Sequence, residues 1–538
     1  GRRAYVHVTC RQLDEESDRL ARGLAALGVG RGTRTALMVP PSLEFFALTF
    51  ALFKLGAVLV LIDPGMGVRH LGRCLGEAAP EAFIGVGKAQ VARAVLGWAK
   101  GSVRLTVGVG SRLFARYTLA EVRRMGLMGP VSPIPSAVTA DETAAILFTS
   151  GSTGVAKGAV YTHGIFAAQV EALRNLYDIR PGEVDLATFP LFALFAPALG
   201  MTAVVPDMDP TRPAGVYPPN IVEAIEDWGV TNLFGSPALL NAVSRWGVAR
   251  GVTLPSLRRV ISAGAPVPAA VIERMTRLLG PGAEVFTPYG ATECLPVASI
   301  GGREILGETR RRTDEGAGVC VGRPVPGVEV AIIPVTDEPI PTWDDSLRLP
   351  PNRVGEITVT GPFVTRSYHA RPEATRRAKI QIPNPKSQKG DLEFGASDLG
   401  FPPQAVWHRM GDLGYLDDRG RLWFCGRKAH RVTTTAGPLD TIPVEAVFNT
   451  HPAVYRAALV GVGPAGKQTP VLCVELEPTA RGTDRARLTR ELLELGAKHE
   501  HTRGVATILF HPTFPVDVRH NAKIFREQLA AWAAGRVR

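Results

Sequence analysis

The sequence predicts an α/β fold in two unequal domains, and three features carry that prediction. Up to about residue 300, short apolar segments alternate with amphipathic ones; such alternation implies parallel sheets layered with helices. From about residue 318, short strands separated by Gly and Pro take over, as expected of a β-rich subdomain. Past Gly426, helical and strand patterns alternate again. Residues 427–538 are therefore expected to form a small α/β domain, following a large domain of residues 1–426.

Each element has its own signal. Leu13, Leu20, Leu24 and Leu27 recur at helical spacing until Gly28 and Gly30 interrupt them. Thr35 to Val39 reads as a buried strand. The most apolar stretch, Leu43 to Ile62, contains Glu44, Lys54 and Gly56. It reads as a core helix followed by a strand, because a membrane span needs about 20 largely uninterrupted apolar residues. Ala144 to Phe148, Thr231 to Phe234 and Val260–Ile261 are further strands. In the β-rich part the strands are Val328–Ile333, Gly355–Val359 and Leu422–Phe424. Residues 379–405 are rich in Pro, Lys, Asp and Gly and lack periodicity, so they read as a long surface loop whose composition disfavours order. In the tail, a helix is expected to start within Val444–Phe448. Ala457–Val462 and Val471–Leu476 follow as strands, and Leu488–Leu495 as a second helix.

Composition narrows the function. With 45% hydrophobic and 21% charged residues, the chain has the make-up of a globular protein. Its net charge of +11 is spread along the sequence. No dense Lys/Arg block with interleaved aromatics appears, which argues against a nucleic-acid partner and leaves at most peripheral membrane contact. Cys10, Cys74, Cys294, Cys320, Cys425 and Cys473 lack zinc-site or redox-pair spacing. They read as reduced thiols of a cytoplasmic protein, and no signal-peptide pattern opens the sequence.

One segment carries explicit chemistry. The strand Ala144–Phe148 runs straight into Thr149, Ser150, Gly151, Ser152, Thr153, Gly154, Val155, Ala156, Lys157 and Gly158. Glycines let the backbone approach a ligand closely. The hydroxyls donate to phosphate oxygens, successive N–H groups can form an anion nest, and Lys157 adds positive charge. The spacing is not that of a Walker A loop, since Gly158 follows the lysine.

This loop resembles the signature of the acyl-adenylate-forming superfamily, and further motifs of that family follow in order along nearly the whole chain. Ser262 to Pro266, with Gly264, Ala265 and Pro266, resembles the segment that contacts adenine. Thr287 to Glu293 resembles the motif in which Tyr289 stacks on adenine beside Gly290, Thr292 contacts the α-phosphate and Glu293 binds Mg²⁺. Gly355–Ile357 and Tyr368–Thr375 resemble a structural motif. Arg409 to Gly414 resembles the motif whose aspartate, Asp412, grips the ribose, and Arg427 opens the hinge and also reaches the ribose. His520 to Arg526 resembles the segment that carries the mobile catalytic lysine, Lys523. The resemblance implies ATP and Mg²⁺ as cofactors, with Lys523, Glu293, Thr292 and Lys157 as the catalytic set. Taken singly each has a plain alternative: Asp412 as a turn residue, Glu293 as a helix cap, Lys523 as a surface lysine. Their joint order is what argues against those alternatives.

The departures from the family pattern point further. Where acyl-CoA ligases often carry a histidine, Phe189 to Pro197 is wholly apolar, with Ala193 at that place; this suits an aliphatic chain. Lys428 to Arg431 makes the hinge residue ambiguous, Ala522 replaces the usual glycine, and Thr433 to Leu439 departs from the segment that often helps receive CoA. Together with Val204 to Pro213, these resemble one branch, the olefin-biosynthesis β-lactone synthetases. That resemblance implies adenylation of a long-chain 2-alkyl-3-hydroxy acid, then attack by its own β-hydroxyl, with other enzymes of a hydrocarbon-synthesis assembly as possible partners. The alternative is a long-chain acyl-CoA synthetase. His163 and His430 are candidate bases, although packing or capping is the expected role of each.

Overall fold

A computed structural model of the chain describes residues 4–128, 138–149, 156–383, 405–516 and 524–537. The first half of the large domain opens with α1 (Cys10–Ala26), β1 (Arg34–Met38), α2 (Leu43–Lys54), β2 (Val58–Ile62), α3 (Val68–Ala78), β3 (Ala82–Val86) and α4 (Gly87–Leu96). It continues with β4 (Leu105–Val109), β5 (Tyr117–Thr118), α5 (Leu119–Met128), β6 (Thr143–Thr149), β7 (Lys157–Thr162) and α6 (His163–Tyr177). A reciprocal cap starts α1: the Thr9 hydroxyl accepts from the Gln12 N–H at 3.1 Å, and Gln12 Oε1 accepts from the Thr9 N–H at 2.9 Å. The strands form a seven-stranded sheet in the order β5-β4-β3-β1-β2-β6-β7. Every pair in it is parallel except β6–β7.

The second sheet has twelve strands. Its parallel part is β8 (Val184–Ala187), β9 (Thr202–Val204), β10 (Asn232–Phe234), β11 (Arg259–Ile261) and β12 (Glu284–Ala291). Antiparallel strands follow: β13 (Cys294–Gly301), β14 (Val319–Pro324), β15 (Glu329–Ile333), β16 (Gly355–Thr360), β17 (Lys379–Gln381), β18 (Val406–Leu416) and β19 (Leu422–Arg427). The order is β15-β16-β18-β19-β14-β13-β12-β11-β10-β8-β9, with β17 beside β18. The β-rich part expected from the sequence is thus hydrogen-bonded to the parallel part, through the pairing of β13 with β14 at Ala298–Pro324 and Ser299–Arg323. Interlocked apolar side chains join the two sheets: Leu48, Leu52 and Ala145 share one buried cluster with Ile357, Val359 and Phe363.

The tail has the hairpin β20 (Val432–Thr434) and β21 (Gly437–Leu439), then β22 (Val454–Val462), β23 (Thr469–Leu476) and β24 (Thr507–Phe510). The last three form a sheet of their own, covered by the helices Thr441–Phe448, Arg485–Ala497 and Arg526–Ala534.

Two sequence expectations need correction. The first tail helix starts at Thr441 and ends at Phe448, rather than starting there. Pro443 hid the start, since proline reads as a breaker although it is tolerated in a first turn. The expected surface loop does not begin at residue 379: Lys379–Gln381 is strand β17, and Lys379 is buried. Its pattern was masked by the polar sequence that follows. Residues 384–404 lie outside the described residues. No helix among the described residues is long and apolar enough to cross a membrane. Cys10 is exposed and the other five cysteines are buried.

Candidate active site

The motif residues converge because strand ends and hairpin turns deliver them to one cleft. β6 and β7 pair antiparallel with Thr149 opposite Lys157, the two described residues that flank the glycine-rich segment most closely in the pairing. Ser150, Gly151, Ser152, Thr153 and Gly154 themselves lie outside the described residues. β12 and β13 form a hairpin: Tyr289 and Gly290 lie near the end of β12, and Thr292 and Glu293 make the turn. Gly290 is needed there, because a Cβ would sit 2.6 Å from the Cys294 carbonyl oxygen. Gly264 follows β11 with φ +97°, a left-handed conformation that favours glycine, and brings the backbone of Gly264, Ala265 and Pro266 to the cleft wall. β18 and β19 place Asp412 directly opposite Arg427.

These groups touch. Tyr289 donates its hydroxyl to Asp412 Oδ2 at 2.6 Å, and Arg427 Nη1 lies 2.9 Å from Asp412 Oδ1. That second contact is an ion pair without hydrogen-bond alignment: buried Oδ1 accepts no hydrogen bond among the described residues. An unsatisfied buried acceptor is costly unless a ligand completes it. Burial raises the Asp412 carboxyl above the usual range, with Arg427 pulling against it. Burial and Asp412 together push the Tyr289 phenol well up.

Glu293 is held at both ends. Tyr368 donates its hydroxyl to Glu293 Oε1 at 2.6 Å, and the Thr365 N–H donates to the Glu293 carbonyl at 2.9 Å. Lys157 Nζ lies 5.0 Å from the centre of the Tyr368 ring. Tyr161 donates its hydroxyl to the Thr292 carbonyl.

Behind this network sits a residue that the sequence reading placed in the surface loop. Lys379 is buried, donates to the Thr365 carbonyl and hydroxyl, and lies 5.7 Å from the Tyr368 ring centre. Burial lowers its ammonium to about 7, with Glu293 acting in the opposite direction. Burial, aided by Lys379, holds the neighbouring His408 well below its ordinary value, so its imidazole is neutral. No sequence signal marks Lys379; only the pairing of β17 with β18 reveals it.

A single cavity of about 2340 Å³ joins these residues to an apolar region. Lys157, Gly264, Tyr289, Glu293, Asp412 and Arg427 line its polar part. Phe189, Leu191, Phe192, Leu194 and Phe195 line the apolar part, as the sequence led one to expect. Ile524 and Arg526 of the tail line it too, while Lys523 lies outside the described residues. His430 lines the cavity, but burial and Arg526 hold it down to about 4, and its Nε2 lies 3.4 Å from Glu527. His163 heads α6 and packs edge-on against Phe53, with ring centres 5.7 Å apart, which fits a packing role.

The carboxylate chemistry suits a magnesium ion brought in with a nucleotide. Among the described residues no group of three or more His, Cys, Asp or Glu is clustered to hold a metal by itself. Mg²⁺ is commonly held by one or two carboxylates together with substrate phosphates, and Glu293 supplies such a carboxylate.

Comparison with known proteins gives the family and the fold. Residues 2–369 match the AMP-binding enzyme family. The chain is 52% identical over 535 residues to an olefin beta-lactone synthetase of Xanthomonas campestris pv. campestris, covering 99% of this chain and 92% of that protein. An olefin beta-lactone synthetase of Stenotrophomonas maltophilia is 52% identical over 537 residues, covering 99% and 93%. The amide bond synthetase McbA from Marinactinospora thermotolerans shares the fold, with a TM-score of 0.76, 24% identity, and coverage of 98% of this chain and 95% of that one. The motif order, the shared cleft and these matches lead to one conclusion: the chain belongs to the AMP-binding enzyme family.

Proposed function

We propose that this protein is an AMP-forming ligase that adenylates a long-chain 2-alkyl-3-hydroxy acid and then closes it to a β-lactone. The observation that carries the reading is the one cavity in which the ribose-gripping pair Asp412–Arg427 and the apolar wall Phe189–Phe195 meet. The identity to the two olefin beta-lactone synthetases supports the second step. In the first step a carboxylate oxygen of the acid attacks the α-phosphorus of ATP, and pyrophosphate leaves. In the second, the β-hydroxyl oxygen attacks the acyl carbon, its proton is lost, and AMP departs.

The residues divide the work. Asp412 and Arg427 hold the ribose, and Oδ1, which accepts no hydrogen bond among the described residues, takes one of its hydroxyls. The backbone of Gly264–Pro266 and the ring of Tyr289 enclose the adenine. The hydroxyl-lined loop Thr149–Gly154 with Lys157 cradles the phosphates, and Thr292 contacts the α-phosphate. Glu293 holds Mg²⁺, which when bound neutralises charge on the phosphates. The tail beyond β19 acts as a lid that delivers Lys523 to the α-phosphate, in a site shielded from water where such a contact is strongest. The lactone closes with the nucleophile already attached to its target, so proximity lowers the barrier.

Product analysis tests this directly. With ATP, Mg²⁺ and a β-hydroxy acid, but no thiol, mass spectrometry should find the β-lactone together with AMP. A thioester formed only when CoA is supplied, with no lactone, would instead mark an acyl-CoA ligase.

A further inference from the structure

One segment at the edge of the first sheet carries basic side chains and no acidic ones. Residues 87–118 contain Lys88, Arg93, Lys100, Arg104, Arg112 and Arg116 and no Asp or Glu. That is six positive charges in a chain whose net charge is +11. All but Arg93 are exposed. Among the described residues Lys88, Lys100, Arg104 and Arg116 form no ion pair, while Arg112 pairs with Glu121 at 3.2 Å.

The same segment exposes large apolar side chains. Val95 and Leu96 end α4 at 71% and 50% exposed, and Leu113 and Phe114 in the β4–β5 connection are 52% and 57% exposed. The two sites adjoin, because Arg93 of α4 donates to the Phe114 carbonyl at 3.2 Å. Phe114 adopts φ +54°, a left-handed conformation that is unfavourable for a bulky residue. It adopts this conformation while more than half of its surface stays exposed.

The cavity reaches this edge. Val86, Ala89 and Ala92 line it, and one turn past Ala92 the helix shows Val95 and Leu96 to solvent. A basic rim around protruding apolar side chains is complementary to an anionic lipid surface: the charges draw it in and the apolar groups enter the headgroup boundary. We propose that the end of α4 and the β4–β5 connection dock this protein on an anionic lipid membrane. There the adjoining cavity takes up its apolar acid from the bilayer. That uptake rests on the long-chain-acid reading above; the docking itself does not.

Co-sedimentation with vesicles, without substrate, tests the docking alone. The full chain should pellet with phosphatidylcholine vesicles containing phosphatidylglycerol, remain in solution with phosphatidylcholine alone, and be released as salt rises. Two variants separate charge from apolar contact: Lys100→Glu with Arg104→Glu, and Leu113→Ser with Phe114→Asn. Asn tolerates the left-handed backbone, so the second pair should retain the wild-type melting temperature. Each pair should lower the bound fraction at least about tenfold. A wild-type chain that ignores anionic vesicles, or variants that pellet as well as wild type, would overturn the proposal. Retention on immobilised polyglutamate without vesicle binding would overturn it too, in favour of an acidic protein partner. Failure here leaves lactone formation untouched, and failure to form lactone leaves vesicle docking untouched.

Discussion

Single side chains decide the chemistry of this cleft, and two lysines make contrasting predictions. Lys523→Ala should slow adenylation by about 10²–10³, while titration with ATP still shows binding; unchanged pyrophosphate release would remove this residue from the reaction. Lys379 acts at one remove, through Thr365 and Tyr368, which hold Glu293. Lys379→Met should therefore raise the KM for Mg·ATP about tenfold, as expected from losing a charged hydrogen bond. It should leave the melting temperature close to that of wild type, because a neutral side chain is cheaper to bury. An equal loss with and without Mg²⁺ in a nucleotide-binding assay would contradict this role. Asp412, Glu293 and Arg427 were legible in the sequence because each sits in a spaced motif. Lys379 was not, because its importance comes from burial against a strand far away in sequence.

Strands and turns set how closely the backbone groups approach. Near the end of β12, Gly290→Ala would place a methyl group 2.6 Å from the Cys294 carbonyl and 2.8 Å from Leu295. We expect a loss of about 1–3 kcal/mol, read as a lower urea midpoint, and a weaker hold on nucleotide. Across the parallel part of the second sheet, Asp185 on β8 is buried and accepts from the Asn232 side chain on β10. Burial raises its carboxyl to about 7 from an ordinary 3.8. A carboxyl with a raised folded value favours folding at low pH and opposes it once ionised. Stability from this group is therefore present below the unfolded value and falls as pH rises towards and past 7. Asp185→Asn should accordingly raise the melting temperature more at pH 8 than at pH 5. A gain independent of pH would show that the carboxyl does not titrate in that range. The sequence located the strands Thr35–Val39, Ala144–Phe148 and Val260–Ile261 to within a residue or two, because each is a short apolar run bounded by turn residues. It misplaced the start of the helix Thr441–Phe448 and missed strand β17, where proline and a polar neighbourhood hide the pattern.

At the scale of the whole molecule, the tail completes the cavity. Arg526, which lines that cavity, donates from Nη2 to Glu445 Oε2 at 2.8 Å and ties the last helix to the helix Thr441–Phe448. Arg526→Ala leaves a buried carboxylate unpaired and should destabilise the tail by about 3–5 kcal/mol. We expect a separate early transition in urea and loss of adenylation, while AMP still binds the large domain; a single unshifted transition would argue against this tie. The amino-acid sequence by itself determined the α/β class, the order of the motifs and the apolar character of the acyl wall, because hydrophobic period, glycine placement and motif spacing are local properties. Only the tertiary structure decided that the antiparallel strands extend the parallel sheet, that Lys379 stands behind Glu293, and that a basic, apolar edge adjoins the cavity. Those features arise from contacts between segments far apart along the chain, and no local pattern encodes which distant surfaces will meet.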